Sequence, residues 1–322
     1  NLFPDKYLSF NRNHEGGKPM KKSFAVIVLF CFGVVFAQRS GGAEGVVNIN
    51  DLPENSKAIF DDIKTKFVKK EKAFLPAFIQ VNFATRATYK ARYEKAAIHG
   101  GPKAEVTVIL KGVSDEVMQE ITDQAEAMYE DQLKAAGFTV VPYSALDGNK
   151  GFQKMIKISA PRKVETKIPA LLASSGTTHL KIFTAHDGPI YSAKSGLYLY
   201  KMQSKLKKAL IIHTFTINFS TYKTEKAKEY SWDKVTTSVQ VEALPLITLG
   251  SGSSWVSSKS KSGMLRNKQV WSVDKDWVTG GEQIDDNTYS IVADPAVFKE
   301  ACLELIGKNI ELTVAHIRSL SK

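Results

Sequence analysis

The sequence predicts an α+β fold in which a strand-helix-strand α/β unit packs with a mainly antiparallel β region and a C-terminal helix. The first observation is a helical stripe between two β-rich stretches within residues 105–141. The second is a pair of alternating stretches, 210–220 and 235–243, and the third is the helical spacing of apolar side chains over residues 293–320. Helix-rich and strand-rich parts are therefore largely separate along the chain, which is typical of α+β proteins.

The strand-helix-strand unit lies in an α/β half formed by residues 51–150. Ser114 is a suitable N-cap with two acidic residues after it, and Gly137 is placed to end the helix. Residues 138–141 form the next predicted strand, and we expect a right-handed crossover between parallel strands. No Gly-rich phosphate loop precedes Ser114, so this unit does not indicate a nucleotide site.

Two further elements are predicted before this unit. Apolar residues within 59–67 recur at helical spacing, with acidic residues early and lysines late, and predict a helix that ends before Pro76. Residues 77–83 alternate apolar and polar side chains and predict a strand.

The remaining residues, 151–322, are predicted to form a β-rich half that is either a domain of its own or part of one domain with the α/β half. Its longest alternation puts Phe215 and four similarly spaced residues on one face of a strand at 210–220, and residues 235–243 repeat the pattern. These two strands predict an antiparallel hairpin joined by a charged loop at 221–233.

After the hairpin, the Gly- and Ser-rich residues 250–263 are expected to form a flexible polar loop. Asp294 and Pro295 then indicate the start of the C-terminal helix, as N-cap and first helical residue. Gly307 is expected to divide this helix into two.

Residues 20–37 have the three parts of a secretory signal peptide. A positive head, Met20-Lys21-Lys22, precedes an apolar run and small residues that end at Ala37. The run is shorter than the about 20 residues that a membrane-spanning helix needs. We therefore predict an exported protein that resides in the periplasm, at the outer membrane or outside the cell.

The residues on either side of this segment have separate interpretations. Residues 1–19 have neither an apolar period nor the composition of a targeting segment, and we expect them to be upstream sequence translated in frame. Residues 38–50 are Gly-rich and polar, and we expect them to be flexible.

The chain that follows Ala37 is basic, with 39 Lys and Arg against 31 Asp and Glu, a net charge of +8. Outside the cytoplasm such a charge favours an anionic envelope component, either lipopolysaccharide, anionic lipid or glycan, or an envelope protein, rather than nucleic acid. The candidate contacts are lysines in strand ends and loops, with two tryptophans as interfacial aromatic residues: Lys201, Lys205, Lys207, Lys208, Lys223, Lys226, Lys228, Trp232, Trp255, Lys259 and Lys261.

No motif in the sequence indicates catalysis, a metal site or a cofactor. It contains no His-x-x-x-His, Cys-x-x-Cys or Gly-x-Ser-x-Gly pattern. His213 lies on an apolar strand face and is predicted to be a hydrogen-bonded core residue, and Cys302 is predicted to be a small core residue. We therefore predict no catalytic residues, no metal ligands and no cofactor.

Three functions remain open from the sequence. The favoured one is a non-enzymatic secreted or periplasmic envelope protein whose basic surface serves binding or assembly. The first alternative is an oligomeric outer-membrane pore or secretion component that uses the hairpin at 210–243. The second is a hydrolase whose site residues are too dispersed to recognise.

Three quoted stretches carry a resemblance to known proteins. The helix at 114–136 leads to "GFTVVPYSAL", a small-residue turn opens "SSGTTHLKIFTA", and "LIIHTFTINFSTYKTE" runs into charged residues. Over residues 75–225 this order resembles the periplasmic α/β domain shared by curli-secretion channel proteins and the amino-terminal domain of TolB. The ending "FAQ" of the signal peptide is similar to that of secreted Bacteroidota proteins. The resemblance implies a periplasmic fold, and it carries over no lipobox cysteine, catalytic residue or pore residue.

Overall fold

A large curved sheet built from thirteen described strands dominates the structure, and helices pack on both of its faces. The computed structural model describes residues 46–92, 103–158, 164–169, 176–190, 198, 201–202, 205–206, 208–230, 235–258 and 261–321. This mixture of a mainly antiparallel sheet with few helices confirms the predicted α+β class.

The secondary structure elements have the following bounds. The strands are β1 Val46–Asn48, β2 Phe60–Ile63, β3 Ala73–Arg92, β4 Lys103–Lys111, β5 Thr139–Val140, β6 Val164–Pro169, β7 Gly176–Thr184, β8 Ala209–Tyr230, β9 Val235–Ser258, β10 Lys261–Asn267, β11 Val270–Ser272, β12 Val278–Asp285 and β13 Thr288–Ala293. The α-helices are α1 Ser56–Ile59, α2 Asp115–Ala135, α3 Lys150–Ile158 and α4 Pro295–Ser321, with 3-10 turns at Ile49–Asp51, Thr65–Lys70, Tyr143–Leu146 and Ala185–Asp187.

The sheet mixes strands from before and after residue 150. Its main path runs β1-β11-β9-β8-β3-β4-β13-β12, with β7 on the other edge of β3. Strand β3 pairs in parallel with β8 and antiparallel with β4 and β7. The central strands therefore come from both halves of the sequence.

The two faces of β8 contribute to two different hydrophobic cores. Ile211 and Phe215 belong to the larger core, which α2 and α4 cover, whereas Leu210 and Ile212 belong to a smaller second core, which α3 covers. Successive residues of a strand point to opposite faces of its sheet. Helix α3 therefore lies on the face opposite α2 and α4.

The helix predicted from the apolar spacing of residues 59–67 is wrong. The chain forms the single-turn helix α1, then strand β2, then a 3-10 turn. Strand β2 pairs antiparallel with β10, with Phe60 opposite Asn267. The backbone hydrogen bonds of this pairing override a helical spacing that is too short to form a stable helix alone.

The predicted strand-helix-strand order is present as β4, α2 and β5, but the predicted crossover between parallel strands is wrong. Strand β4 is antiparallel to the end of β3, whereas β5 is parallel to its start. Helix α2 has 21 residues and is about 32 Å long. It returns the chain along the length of β3, so the two strands do not become neighbours.

The ends of α2 match the prediction. The Ser114 side chain accepts a hydrogen bond from the Val117 amide, and Gly137 has a φ of 86° just after the helix. The Gly137 and Phe138 amides donate to carbonyls of the last turn. Both ends are therefore set by local sequence.

The predicted hairpin is confirmed, but the two loops expected around it are strands. Strand β8 continues through the charged residues to Tyr230. It pairs with β9 along its length, with Leu210 opposite Ser257 at one end and Tyr230 opposite Val235 at the other. Residues 250–258 belong to β9 and residues 261–267 to β10. Backbone pairing does not depend on side-chain polarity, so charged, Gly and Ser residues are accommodated.

The C-terminal helix is confirmed, but Gly307 does not divide it. Asp294 Oδ1 accepts hydrogen bonds from the Ala296 and Val297 amides, as an N-cap should. A Cβ added at Gly307 would lie 2.7 Å from Cε of Met128 on α2. The glycine therefore lets α4 approach α2 closely.

The predictions for residues 1–19 and 20–37, and for residues 38–45 of the flexible segment, lie outside the described residues. The last residues of that segment are ordered, because Val46–Asn48 pair in parallel with Val270–Ser272. Within the described part of the chain, no helix combines the length and the apolar character that crossing a membrane requires.

Replacing Gly252 by alanine tests how closely α4 sits on the sheet. A Cβ at this position would lie within 2.9 Å of Asn309, whose buried side chain donates to Asn267 Oδ1 at 2.8 Å. We expect Gly252→Ala to lower the free energy of unfolding by about 1–3 kcal/mol, because the core has no room to relax. Urea denaturation measures the change.

The matched control is Gly280→Ala, where an added Cβ meets no atom within 4 Å. We expect this control to change stability by about 0.5 kcal/mol or less. Adding Asn309→Ala to Gly252→Ala should cost less than the sum of the two single changes. Equal, small effects of both alanines would contradict the close packing.

Candidate functional site

Two stretches of chain cover the second core, and both are rich in lysine. Residues 141–158 and 198–208 together contain seven lysines and a single acidic residue, Asp147. The lysines are Lys150, Lys154, Lys157, Lys201, Lys205, Lys207 and Lys208. We call Lys150, Lys154, Lys201, Lys205 and Lys208, whose side chains are described and exposed, the basic layer.

Apolar side chains of the same two stretches hold the basic layer against the sheet. Phe152 and Met155 of α3 and Met202 of the second stretch are buried in the second core. Asn149 joins the stretches, because its Nδ2 donates to the Met202 carbonyl and its Oδ1 accepts from the Gly151 amide. The lysines of the basic layer alternate along the chain with these buried residues, and the lysine side chains therefore point outward.

Four of the five lysines of the basic layer carry uncompensated positive charge among the described residues. Lys150, Lys154, Lys205 and Lys208 form no ion pair within the described part of the chain. The Lys201 ammonium lies 5.7 Å from the centre of the Tyr198 ring, close enough for a cation–π contact. Lys150, Lys154, Lys205 and Lys208 therefore present their charge to solvent instead of to carboxylates of the described residues.

On the opposite face of the sheet, helix α2 carries the opposite charge. Helix α2 contains seven acidic residues and one lysine, Lys134. Its apolar side packs on the larger core, which places these acidic residues across the sheet from the basic layer. The basic layer and α2 thus carry opposite charges on opposite faces, whereas α4, beside α2, has equal numbers of acidic and basic residues. A charge difference of this kind orients a protein in the field of a charged partner.

The structure distributes the predicted contact residues over three places. Lys201, Lys205 and Lys208 belong to the basic layer, and the half-buried Trp255 packs against the core beneath it. Lys261 is exposed at the end of the sheet, where it pairs with Ser258, but the alternation along β10 puts it on the face of Leu265, which belongs to the larger core, and therefore not in this surface.

The other predicted residues lie away from the basic layer or outside the described residues. Lys223, Lys226 and Lys228 are on the distal part of β8, where the Lys223 ammonium forms an ion pair of 2.8 Å with Glu225. Lys207, Trp232 and Lys259 lie outside the described residues.

Sequence reasoning missed Lys150 and Lys154. They lie in a region that the sequence analysis treated only as the boundary between two halves. The signal was present as two apolar residues, Phe152 and Met155, at helical spacing between lysines.

A second feature is a groove of about 480 Å³ beside α2. Asp123, Glu126 and Glu130 line it, and His186 faces them from the turn after β7. The His186 Nε2 lies 2.6 Å from Glu126 Oε2, and the His186 ring packs on Tyr143 at 4.6 Å. His186 adopts a left-handed backbone conformation, with a φ of 53°, that directs it toward α2.

Burial determines the protonation of Glu126. Its side chain is only 7% exposed, whereas that of His186 is 50% exposed. This burial raises the pKa of Glu126 to about 7, although the neighbouring His186 acts in the opposite direction. Glu126 therefore gains its negative charge near neutral pH, which makes its contact with His186 pH-sensitive.

The buried histidine and cysteine are core residues, as predicted. His213 is fully buried, its Nδ1 lies 3.4 Å from the Tyr129 hydroxyl, and burial lowers the pKa of its imidazole to about 3. Burial also raises the pKa of the Cys302 thiol well above its ordinary value. Both side chains are therefore neutral at physiological pH and are enclosed in the core.

Among the described side chains, no group of three or more His, Cys, Asp or Glu is arranged to hold a metal ion. Comparison of the chain with protein-family models, with curated proteins and with solved structures gave no match. The resemblance to the curli-secretion channel and TolB domains therefore stays a prediction.

Glu126→Gln tests the pH-sensitive contact. In the native state Glu126 keeps its proton to about pH 7, whereas the unfolded chain releases it at lower pH, so stability falls as pH rises between about 5 and 7. We expect this fall to be smaller in Glu126→Gln, which cannot titrate. Chemical denaturation at several pH values measures it.

The matched control is Asp123→Asn, an exposed carboxylate of the same groove. It should leave the pH dependence of the wild type nearly intact. An unchanged pH dependence in Glu126→Gln would show that Glu126 is ionised throughout this range.

Proposed function

We propose that this chain is a non-enzymatic protein of the cell envelope, secreted or periplasmic, that binds an anionic partner through its basic layer. The observation that carries the proposal is the opposite charge of two covers of the sheet: the described residues of the stretches on one face bear five exposed lysines and one acidic residue, whereas α2 on the other face contains seven acidic residues and one lysine. A protein with this distribution is attracted to a negative surface in one orientation.

The predicted signal peptide supports an envelope location. An exported basic protein encounters lipopolysaccharide phosphates, anionic lipid headgroups and acidic glycans. Exposed lysines act as point charges toward such groups, and each contributes about 1 kcal/mol near an anionic surface. Several weak contacts acting together account for binding without a deep pocket.

A triple variant tests the basic layer. Replacing Lys154, Lys205 and Lys208 by glutamine should weaken binding to lipopolysaccharide and to anionic vesicles about 10- to 100-fold, because three attractive charges are removed. The binding of the wild type should also weaken as salt is added, since salt screens exposed charges. Co-sedimentation over a salt series measures both effects.

The control removes three lysines from the other face. Lys134, Lys299 and Lys308 lie on α2 and α4, so their replacement by glutamine changes the net charge equally. Binding should fall much less in this control. An equal loss of affinity in the two triple variants, or binding that does not respond to salt, would contradict the proposed role of the basic layer.

One observation favours a second candidate, an oligomeric pore or secretion component. The last residue of β8 that pairs with β3 is Ile217, and the last residue of β9 that pairs with β11 is Thr248. From these residues toward Tyr230 and Val235, β8 and β9 pair only with each other among the described strands. A two-stranded ribbon is marginally stable alone and has two edges that accept further strands. Sizing of detergent extracts from the native host tests this candidate, because it requires a ring of several copies and a monomer contradicts it.

A further inference from the structure

An apolar side chain is exposed within the basic layer. Three large apolar residues of the described chain are exposed, and of these only Ile156 lies on α3. Its exposed fraction is 42%, although Phe152 and Met155 of the same helix are almost completely buried. Exposure of Ile156 therefore does not follow from poor packing of the helix.

The helical geometry of α3 places Ile156 at a border. Successive residues are rotated by about 100°, so Gly151, Phe152 and Met155 form the buried face and Lys150 and Lys154 form part of the outer face. Ile156 follows Phe152 by one turn and lies between the two faces. An apolar residue at the margin of a lysine-rich face is typical of helices that lie in a membrane interface.

We propose that the basic layer docks on the surface of an anionic lipid bilayer, with α3 lying in the interface and Ile156 inserted among the lipid headgroups. This inference rests on the proposed function and names its partner. The lysines supply the attraction to lipid phosphates, and the apolar contact supplies a second, independent contribution. The lysines supply most of the attraction but would bind any polyanion, and the single Ile buries little area but adds the preference for a bilayer.

The surrounding residues favour a bilayer over a soluble polyanion. A glycan or a free phosphate chain offers charge but no apolar phase in which Ile156 would gain free energy. The flexible stem of Lys150 can extend toward headgroups from the outer face of α3 while Ile156 occupies the border of that face. Tyr198, in contact with Lys201, adds an aromatic ring of the kind found at membrane surfaces.

Ile156→Ser tests the insertion. The probe is a vesicle of phosphatidylethanolamine and phosphatidylglycerol, with phosphatidylethanolamine and phosphatidylcholine vesicles as the uncharged counterpart. We expect Ile156→Ser to weaken binding to the anionic vesicles about fivefold, because part of one Ile side chain no longer leaves water. The same change should leave binding to heparin, a soluble polyanion, unaltered.

The matched control is Ile284→Ser on β12, where the Ile side chain is exposed to a similar extent, 49%. This control should bind the anionic vesicles as the wild type does. Circular dichroism and urea denaturation of both variants verify that neither loses its fold.

The outcomes separate this inference from the proposed function. Equal vesicle binding by Ile156→Ser and wild type, with salt-sensitive binding retained, would overturn the insertion and leave the charge-based function standing. Binding to heparin without binding to anionic vesicles would identify a soluble polyanion as the partner instead of a bilayer. If the triple lysine variant binds anionic vesicles as the wild type does, both the proposed function and the inference fail.

Discussion

Burial of β3 and β8 on both faces is the constraint on which the rest of the structure depends. A strand that is apolar on two sides needs a cover on each, and one helical layer cannot supply both. Helices α2 and α4 cover one face, while α3 and the stretch around Met202 cover the other. Because each cover keeps its own polar surface outward, this arrangement allows acidic and basic residues to be separated by the thickness of a sheet.

The same constraint determines how polar residues are accommodated inside the sheet. Gln80 and Asn82 of β3 are buried, and the Gln80 amide donates to Asn82, which in turn donates to Thr216 of β8. A buried amide without partners would cost more than the folding of the strand gains. Three polar positions of the alternation at 210–220, Thr216, Asn218 and Ser220, are thus buried hydrogen-bonding groups, although the pattern itself is typical of a strand with one exposed face.

Elements set by local signals were predictable from the sequence, and elements set by distant pairing were not. Asp294, Pro295 and the apolar stripe after them define α4 by themselves, and the alternation of β8 and β9 defines their hairpin. Strands β2 and β10 pair with each other, and the Gly- and Ser-rich end of β9 pairs with the start of β8, so these segments form strands through partners far apart in sequence. For the candidate site, the lysines near residue 205 were recognised by composition, whereas those of α3 required knowledge that Met202 and Phe152 share one core.

The smallness of the second core has a consequence for how tightly this face is held. Among the described residues of the covering stretches, the apolar side chains buried in the second core are those of Leu146, Phe152, Met155 and Met202, whereas the larger core includes many apolar residues of α2 and α4. Regions with few buried contacts open at lower free energy than the rest of a protein. The covering stretches that bear the lysines are therefore held to the sheet by fewer buried contacts than α2 and α4 are. A partner that binds these stretches also orders them. The free energy that this ordering costs reduces the affinity of the partner for the protein.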